Sequence, residues 1–303
     1  MSMTTTTLTY HARRLPWPSR LCDYLELTKP KIAALELVTV AVAAFVAGWV
    51  PSNPWVLVHA LAGTALIAAS ASALNQWLER DTDALMQRTA QRPLPAGRLS
   101  TWEVAVFSSV SVVAGVVYLA LATNSLTALL GLVTWMIYVL VYTPLKSRTT
   151  LNTPVGAVAG AIPILMGWTA GGAPLDLRAL VLFSIVFLWQ FPHFMAIAWI
   201  YRRQYAQASL VMSPVVDPSG RSTGRQAVWL AAVLVPVTLL PALIEPPVGV
   251  GYFLAASVFG LVQLYCAAAF RRQMDEASAR RLMRVSIVYL PALLVVLLAS
   301  PLV

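Results

Sequence analysis

Stretches of about 20 apolar residues recur along almost the whole length of this chain. Each is long enough to cross about 30 Å of hydrocarbon as a helix. Nine such runs lie near 32–50, 54–78, 102–122, 125–143, 152–172, 177–200, 227–245, 248–270 and 282–302. Several adjoin across short hinges such as Pro51-Ser52-Asn53-Pro54, so the same pattern admits eight or ten helices. Composition agrees: of 303 residues, 59% are hydrophobic and only 11% charged, where soluble domains carry roughly 25% charged residues. The expected fold class is therefore all-α, a polytopic membrane helical bundle of about nine transmembrane helices with polar cap loops. An ordinary soluble fold is excluded.

The charges orient this bundle. Cytoplasmic loops of membrane proteins are rich in Lys and Arg. With the amino terminus in the cytoplasm, the tail to Lys31, the loops 79–101 and 144–151, and the segments 201–226 and 271–284 hold 20 of the 21 basic residues. Only Arg178 falls elsewhere, and the opposite loops are short and nearly neutral. The amino terminus and long loops are thus expected in the cytoplasm and the carboxyl terminus outside. The net charge of +9 is explained as a topology signal, aided by anionic membrane lipid, and calls for no nucleic acid. Residues 1–24 are polar, hold Arg13, Arg14 and Arg20, and lack the apolar core of a signal peptide. They read as a disordered cytoplasmic tail ahead of a transmembrane domain at 25–303, although a mitochondrial presequence has a similar composition. Cys22 and Cys266 match no metal or redox spacing.

Charge is otherwise scarce, yet "NQWLERDTDALMQRTAQRPLPAGR", Asn75 to Arg98, packs three carboxylates and four arginines directly behind an apolar run. Asn75, Glu79 and Asp83 stand at i, i+4 and i+8, on one stripe of an extended second helix. Two carboxylates and an amide offer oxygen ligands of the kind Mg2+ takes, with water and substrate phosphates completing its shell. Asp81 points elsewhere and has neighbouring arginines to pair with. Arg88, Arg92 and Arg98 follow in positions suited to an anion. The same spacing also fits a solvated helix end laced by i, i+4 charge pairs.

Three further elements carry polar groups at or within the apolar runs. "YTPLKSRTTLN" places Lys146 and Arg148 at the membrane surface after Pro144, which by themselves are two positive-inside residues. "WQFPHFMAIAWIYRRQY" sets Gln190 and His193 inside a span, beside Pro192, which is expected to kink the helix. Polar residues inside spans tend to face a cavity and serve function, while a lone buried His is often a hydrogen-bonded structural group. Glu36 lies near the start of the first span, close enough to pair with Lys29 or Lys31. The long segments 79–101 and 201–226 follow the second and sixth spans on the same face, which suggests a pseudo-symmetric arrangement of two facing loops roofing a cavity.

Together "YLELTKPKI", "NQWLERDTDALMQRTAQRPLP", "YTPLKSRT", "GAIPILMGWTA" and "WQFPHF" resemble the protoheme IX farnesyltransferase family of UbiA-type intramembrane prenyltransferases. The likeness in motif form covers residues 24–217. It implies a nine-helix bundle with a polar cap, Mg2+ as cofactor, and farnesyl diphosphate and heme B as substrates. It further implies Asn75, Glu79 and Asp83 as metal-binding and catalytic residues, with Arg88, Arg92 and Lys146 on the diphosphate. Candidate substrate contacts on this resemblance are Arg148, Arg202, Tyr142, Trp189 and Gln190. Aromatic faces at Trp189, Phe194 or Tyr142 are offered for the allylic cation, and His193 as a catalytic group toward heme. The setting it implies is a bacterial cytoplasmic membrane, with heme A synthase or heme-copper oxidase assembly as partners.

One segment departs from the family pattern. After the sixth span the family reads as an acidic pair followed by Tyr, where this chain has Arg203-Gln204-Tyr205. Carboxylates for a second metal are missing there, and Arg202 or Arg203 is available to meet the diphosphate instead. Asp217, in "VVDPSG", reads first as a turn residue. Prenyl transfer to a quinone precursor or other aromatic acceptor is the nearest alternative activity. A transporter or a non-catalytic oxidase assembly factor is the alternative of a different class. A carrier is expected to place charges along a path through the helices, whereas here they gather on one face.

Overall fold

The computed structural model describes residues 17–48, 55–244 and 249–300, and no strand occurs among them. The helices in chain order are α1 (Trp17–Leu27), α2 (Pro30–Val46), α3 (Trp55–Leu78), α4 (Arg80–Ala84), α5 (Thr101–Ala122) and α6 (Ser125–Met136). A π-helical segment, Ile137–Tyr142, joins α6 to α7 (Thr143–Leu145). Then come α8 (Asn152–Ala170), α9 (Leu177–Ile200), α10 (Arg202–Gln207), α11 (Ser213–Val216), α12 (Arg221–Leu239), α13 (Val250–Gln273) and α14 (Glu276–Ala299).

Eight of these stretches are long and apolar enough to cross a membrane, the α6–α7 run counting as one. The 17-residue α2 makes a ninth beside them. It occupies the place of the expected 32–50 run, whose end passes beyond the described residues. Helix starts carry their own signals. Ser100 and Glu103 form a capping box at α5, and Asn124, Asp176 and Asp275 each accept a backbone N–H at the starts of α6, α9 and α14.

The bundle is not layered evenly. Within their apolar windows, 72% of α8 and 61% of α9 is buried, against 39% or less in the other six, namely α3, α5, α6–α7, α12, α13 and α14. These two helices form the centre. α2 packs on α8, while α12 and α14 pack on α9. Small residues permit the close approaches, as expected where lipid leaves packing to drive association. A Cβ on Gly167 would fall 2.0 Å from the carbonyl oxygen of Val40 across the α2–α8 contact.

Two expectations are corrected here. The tail to residue 24 is not wholly unstructured, since α1 begins at Trp17; its side chains Tyr24 and Leu27 pack with Ala73, Trp77, Leu94, Leu99, Val104 and Phe107. Residues 1–16 lie outside the described residues. α12 and α14 also start about six residues earlier than their apolar runs, at Arg221 and Glu276 in place of 227 and 282, while α13 starts at Val250, two residues after the expected 248. The early turns of α12 and α14 carry exposed charges, Arg221 and Arg225 on one and Glu276 and Arg280 on the other, so helix continues into the polar boundary where hydropathy no longer marks it.

Candidate active site at the cap of the bundle

Asn75, Glu79 and Asp83 keep their i, i+4 register although the helix breaks between them. α3 ends at Leu78 and α4 starts at Arg80, with Glu79 at the junction. The backbone still carries Glu79 N–H to Asn75 O at 3.0 Å and Asp83 N–H to Glu79 O at 2.7 Å. Asn75 and Asp83 are each 1% exposed, which excludes the solvated helix end. Asp81, in contrast, is exposed and lies 3.4 Å from Arg80.

Each of the three meets a cationic side chain from a different part of the chain. Lys146 Nζ lies 2.6 Å from Glu79 Oε1, Arg92 donates to Asp83 Oδ2 at 2.6 Å, and Lys29 donates to Asn75 Oδ1 at 2.6 Å. Burial and the neighbouring Arg92 push the Lys29 amine down to about 7, with Lys146 adding to this and Glu79 and Asp83 opposing it. Burial opposes the charge on Lys146 as well, but Glu79, Tyr142 and Tyr138 together outweigh it and hold the amine above its ordinary value. Lys29 is the site residue that sequence reading passed over, assigning it to Glu36. The signal available was its place beside Pro30, where it takes a left-handed backbone (φ 51°) that turns the chain from α1 into α2.

The π-helical segment explains how Lys146 arrives. Pro144 has no N–H to give to the preceding turn, and a π-turn is a frequent accommodation at functional sites. Thr143 Oγ1 donates to Tyr138 O at 2.8 Å and accepts from Asn75 Nδ2 at 3.1 Å, tying the segment to α3. Tyr142 lies against Gly156, with Lys146 Nζ 4.6 Å from its ring centre. Tyr142 and Lys146 are thus both brought to the cluster.

The second polar loop meets the first, as the facing-loop reading expects, but it brings backbone, amide and aromatic groups to the cluster and no carboxylate. Val211 N–H donates to Lys146 O at 2.7 Å, and Gln204 Oε1 accepts from the Arg88 N–H at 3.2 Å. The Arg88 guanidinium lies over the Tyr201 ring at 4.6 Å, held toward this loop and, among the described residues, in no ion pair with a carboxylate. Arg202, at the start of α10, folds back onto the end of α9: it donates to Trp199 O and covers the Trp199 ring at 4.3 Å. Arg203 and Arg148 are exposed. Asp217 is a turn residue, as read: the Ser219 hydroxyl and the Ser222 N–H hold its carboxyl below the usual range. Arg98 does not face the carboxylates of this cluster; it pairs with Asp23 and Glu26 of α1.

Trp189, Gln190 and His193 form a separate group deeper in the bundle. α9 runs helically through Pro192. Trp189 Nε1 donates to Ser286 O at 2.6 Å, His193 Nδ1 is 2.8 Å from Ser286 Oγ, and their rings stack at 5.5 Å. Gln190 Nε2 donates to Ala157 O at 2.9 Å, and Gly160 leaves the room its amide occupies. Trp189 and Gln190 are buried and hold α9 to α14 and α8.

The residues of the cap fit a hard divalent cation. Among the described residues no cluster of three or more His, Cys, Asp or Glu side chains exists, so a site enclosed by protein ligands alone is not offered. Two carboxylates and an amide suit Mg2+, which keeps several positions for water and phosphate oxygen. Glu79 Oε1 is buried and has no hydrogen-bond donor beyond its ion-pair contact with Lys146, as a ligand oxygen would.

The UbiA prenyltransferase family model matches residues 37–290. Protoheme IX farnesyltransferases from Solibacter usitatus and Koribacter versatilis are each 42% identical to this chain, over 89% and 92% of it and 95% and 93% of their own lengths. A digeranylgeranylglyceryl phosphate synthase shares the fold with TM-score 0.78 at 15% identity, covering 93% of this chain and 98% of that one. A UbiA homolog from Archaeoglobus fulgidus, solved with DMAPP and Mg2+, matches with TM-score 0.64 at 18% identity, over 91% of this chain and 99% of that one. With its helical bundle, its cap of paired oxygens and cations, and near-full-length relatives at this identity, the chain belongs to the UbiA prenyltransferase family, among the protoheme IX farnesyltransferases.

Proposed function

We propose that this membrane protein transfers the farnesyl group of farnesyl diphosphate to a vinyl group of heme B, adds water, and releases diphosphate, yielding heme O. The observation that carries the reading is the meeting of Asn75, Glu79 and Asp83 with Lys29, Arg92 and Lys146 in a buried cap. Breaking the C1–O bond of an allylic diphosphate leaves the electron pair on the diphosphate and a cation on the chain. Fixed cations in a water-poor site stabilise that departing charge without reorganising. Lys29, Arg92 and Lys146 turn from the protein's own oxygens to those of the diphosphate. Mg2+, held by Asn75, Glu79 and Asp83, would supply further neutralisation of the leaving group.

The π electrons of the vinyl group form the new C–C bond at C1. Water adds its hydroxyl to the resulting cation and loses a proton to solvent. The Tyr142 ring, which already faces the Lys146 ammonium, is the candidate to stabilise the allylic charge. His193 and Ser286 are the candidates for a contact with heme. The acceptor is inferred from relatives at 42% identity over most of the chain. The cap faces the cytoplasm of a bacterial inner membrane on the distribution of basic residues.

Membranes carrying the protein, incubated with heme B, farnesyl diphosphate and Mg2+, are expected to yield a heme heavier by one farnesyl group and one water by mass spectrometry. Membranes carrying Asp83→Ala are expected to yield only about a thousandth as much. A farnesylated quinone precursor, with no farnesylated heme, would overturn the acceptor while leaving the diphosphate site in place.

A further inference from the structure

We propose that Arg98, with Asp23 and Glu26, is a positioning device that locks α1 to the first cap loop and so sets both Lys29 and Arg92 on the diphosphate. The proposal rests on the diphosphate reading of the cap, though not on the identity of the acceptor. Arg98 makes three bonds in two directions. Its Nε donates to Asp23 Oδ1 at 2.6 Å and its Nη2 to Glu26 Oε2 at 2.5 Å, both on α1, while Nη1 donates to Gln91 O at 2.7 Å in its own loop. A guanidinium fork can do this where an ammonium cannot.

Each end of this bridge leads to a cation of the cap. On the loop side, Arg98 N–H donates to Pro93 O at 2.8 Å and Ala96 N–H to Arg92 O at 2.9 Å. Arg92 and Arg98 thus stand at opposite ends of one tight turn, closed through Gly97 at φ 67°. Arg92 reaches Asp83, and Arg98 reaches α1. On the helix side, α1 ends at Leu27, whose carbonyl accepts from Gln76 Nε2 at 2.9 Å, and Lys29 follows two residues later.

A second clamp pairs Arg20 of α1 with Glu103 at the start of α5. Asp23 is 5% exposed, and its Oδ2 has no hydrogen-bond partner. A carboxylate buried with one oxygen unmatched is costly unless its guanidinium partner stays in place. The outer face of α1 exposes Leu21 and Leu25, consistent with a helix lying along the membrane boundary. α1 is therefore a strap across the cap, and Arg98 is its buckle.

Asp23→Asn and Arg98→Lys test this, with Arg98→Lys keeping the charge should a larger change impair folding. Binding of farnesyl thiodiphosphate, a non-ionising analogue, is measured on detergent-purified protein with Mg2+ and without heme. Turnover is measured separately. The expected result is a rise of about tenfold in the analogue Kd and in KM for farnesyl diphosphate, with KM for heme B moving less than about twofold, since a small misplacement of binding groups is sufficient for such losses. A lowered melting temperature with unchanged analogue binding would show a purely structural bridge and overturn the proposal, as would wild-type behaviour in both variants. Wild-type protein that fails to bind the analogue at all would overturn the diphosphate reading itself.

Discussion

The two long loops on the polar face are similar in length and both rich in arginine, yet the structure uses them differently. The first, 79–101, presents Glu79 and Asp83 inward to Lys146 and Arg92. The second, 201–226, offers an amide to Arg88, a backbone N–H to Lys146, and aromatic rings to the Arg88 guanidinium. Its carboxylate, Asp217, is consumed by its own turn. Charge density alone therefore does not identify a site. Buried carboxylates matched with cations, Asp83 by Arg92 of the same loop and Glu79 by Lys146 from a distant segment, single out the first loop as the candidate, because such an arrangement is costly to assemble and valuable where charge must be separated.

Breaking the first loop should have the largest effect. Asp83→Ala removes one candidate ligand and leaves Arg92 without its buried partner, so kcat/KM should fall about a thousandfold, measured as heme O formed per extracted protein. Activity near wild type would place the chemistry elsewhere. Lys29→Met comes next, with KM for farnesyl diphosphate rising about tenfold or more as one of three fixed cations is lost; an unchanged KM would leave Lys29 as a simple partner of Asn75.

Smaller effects sharpen the contrast on the second loop. Gln204→Ala frees the Arg88 N–H without touching the carboxylates, so turnover should drop only about threefold. A hundredfold loss would mean that this loop carries chemistry of its own. The smallest effect is expected at the exposed Arg148, where Arg148→Gln should stay within about twofold of wild type in KM for either substrate, since an exposed charge contributes little. A large rise in KM for heme B there would reveal a propionate contact.

Much of the site was readable because local spacing carries it. Asn75, Glu79 and Asp83 lie on one stripe in any helix, and even the break at Glu79 preserved their register. Lys29 was not readable, because its partner is 46 positions away in sequence and the nearer Glu36 offered a plausible alternative. Arg98 and Arg202 were assigned to an anion on charge alone. Their actual partners, the carboxylates of α1 and the ring of Trp199, depend on how loop and helix ends fold back. α1 escaped notice for a related reason: a helix lying at the polar boundary needs no long apolar run.

Hydrophobic length and the one-sided placement of Lys and Arg determined, from the sequence alone, a helical membrane bundle with its polar loops gathered on one face, since lipid admits no exposed backbone and basic residues resist translocation. Tertiary structure decided which of those charges meet in the candidate site. That choice rests on contacts between distant segments, α1 with the first loop and the π-turn with α3, and pairing across such distances depends on packing geometry that no periodicity encodes.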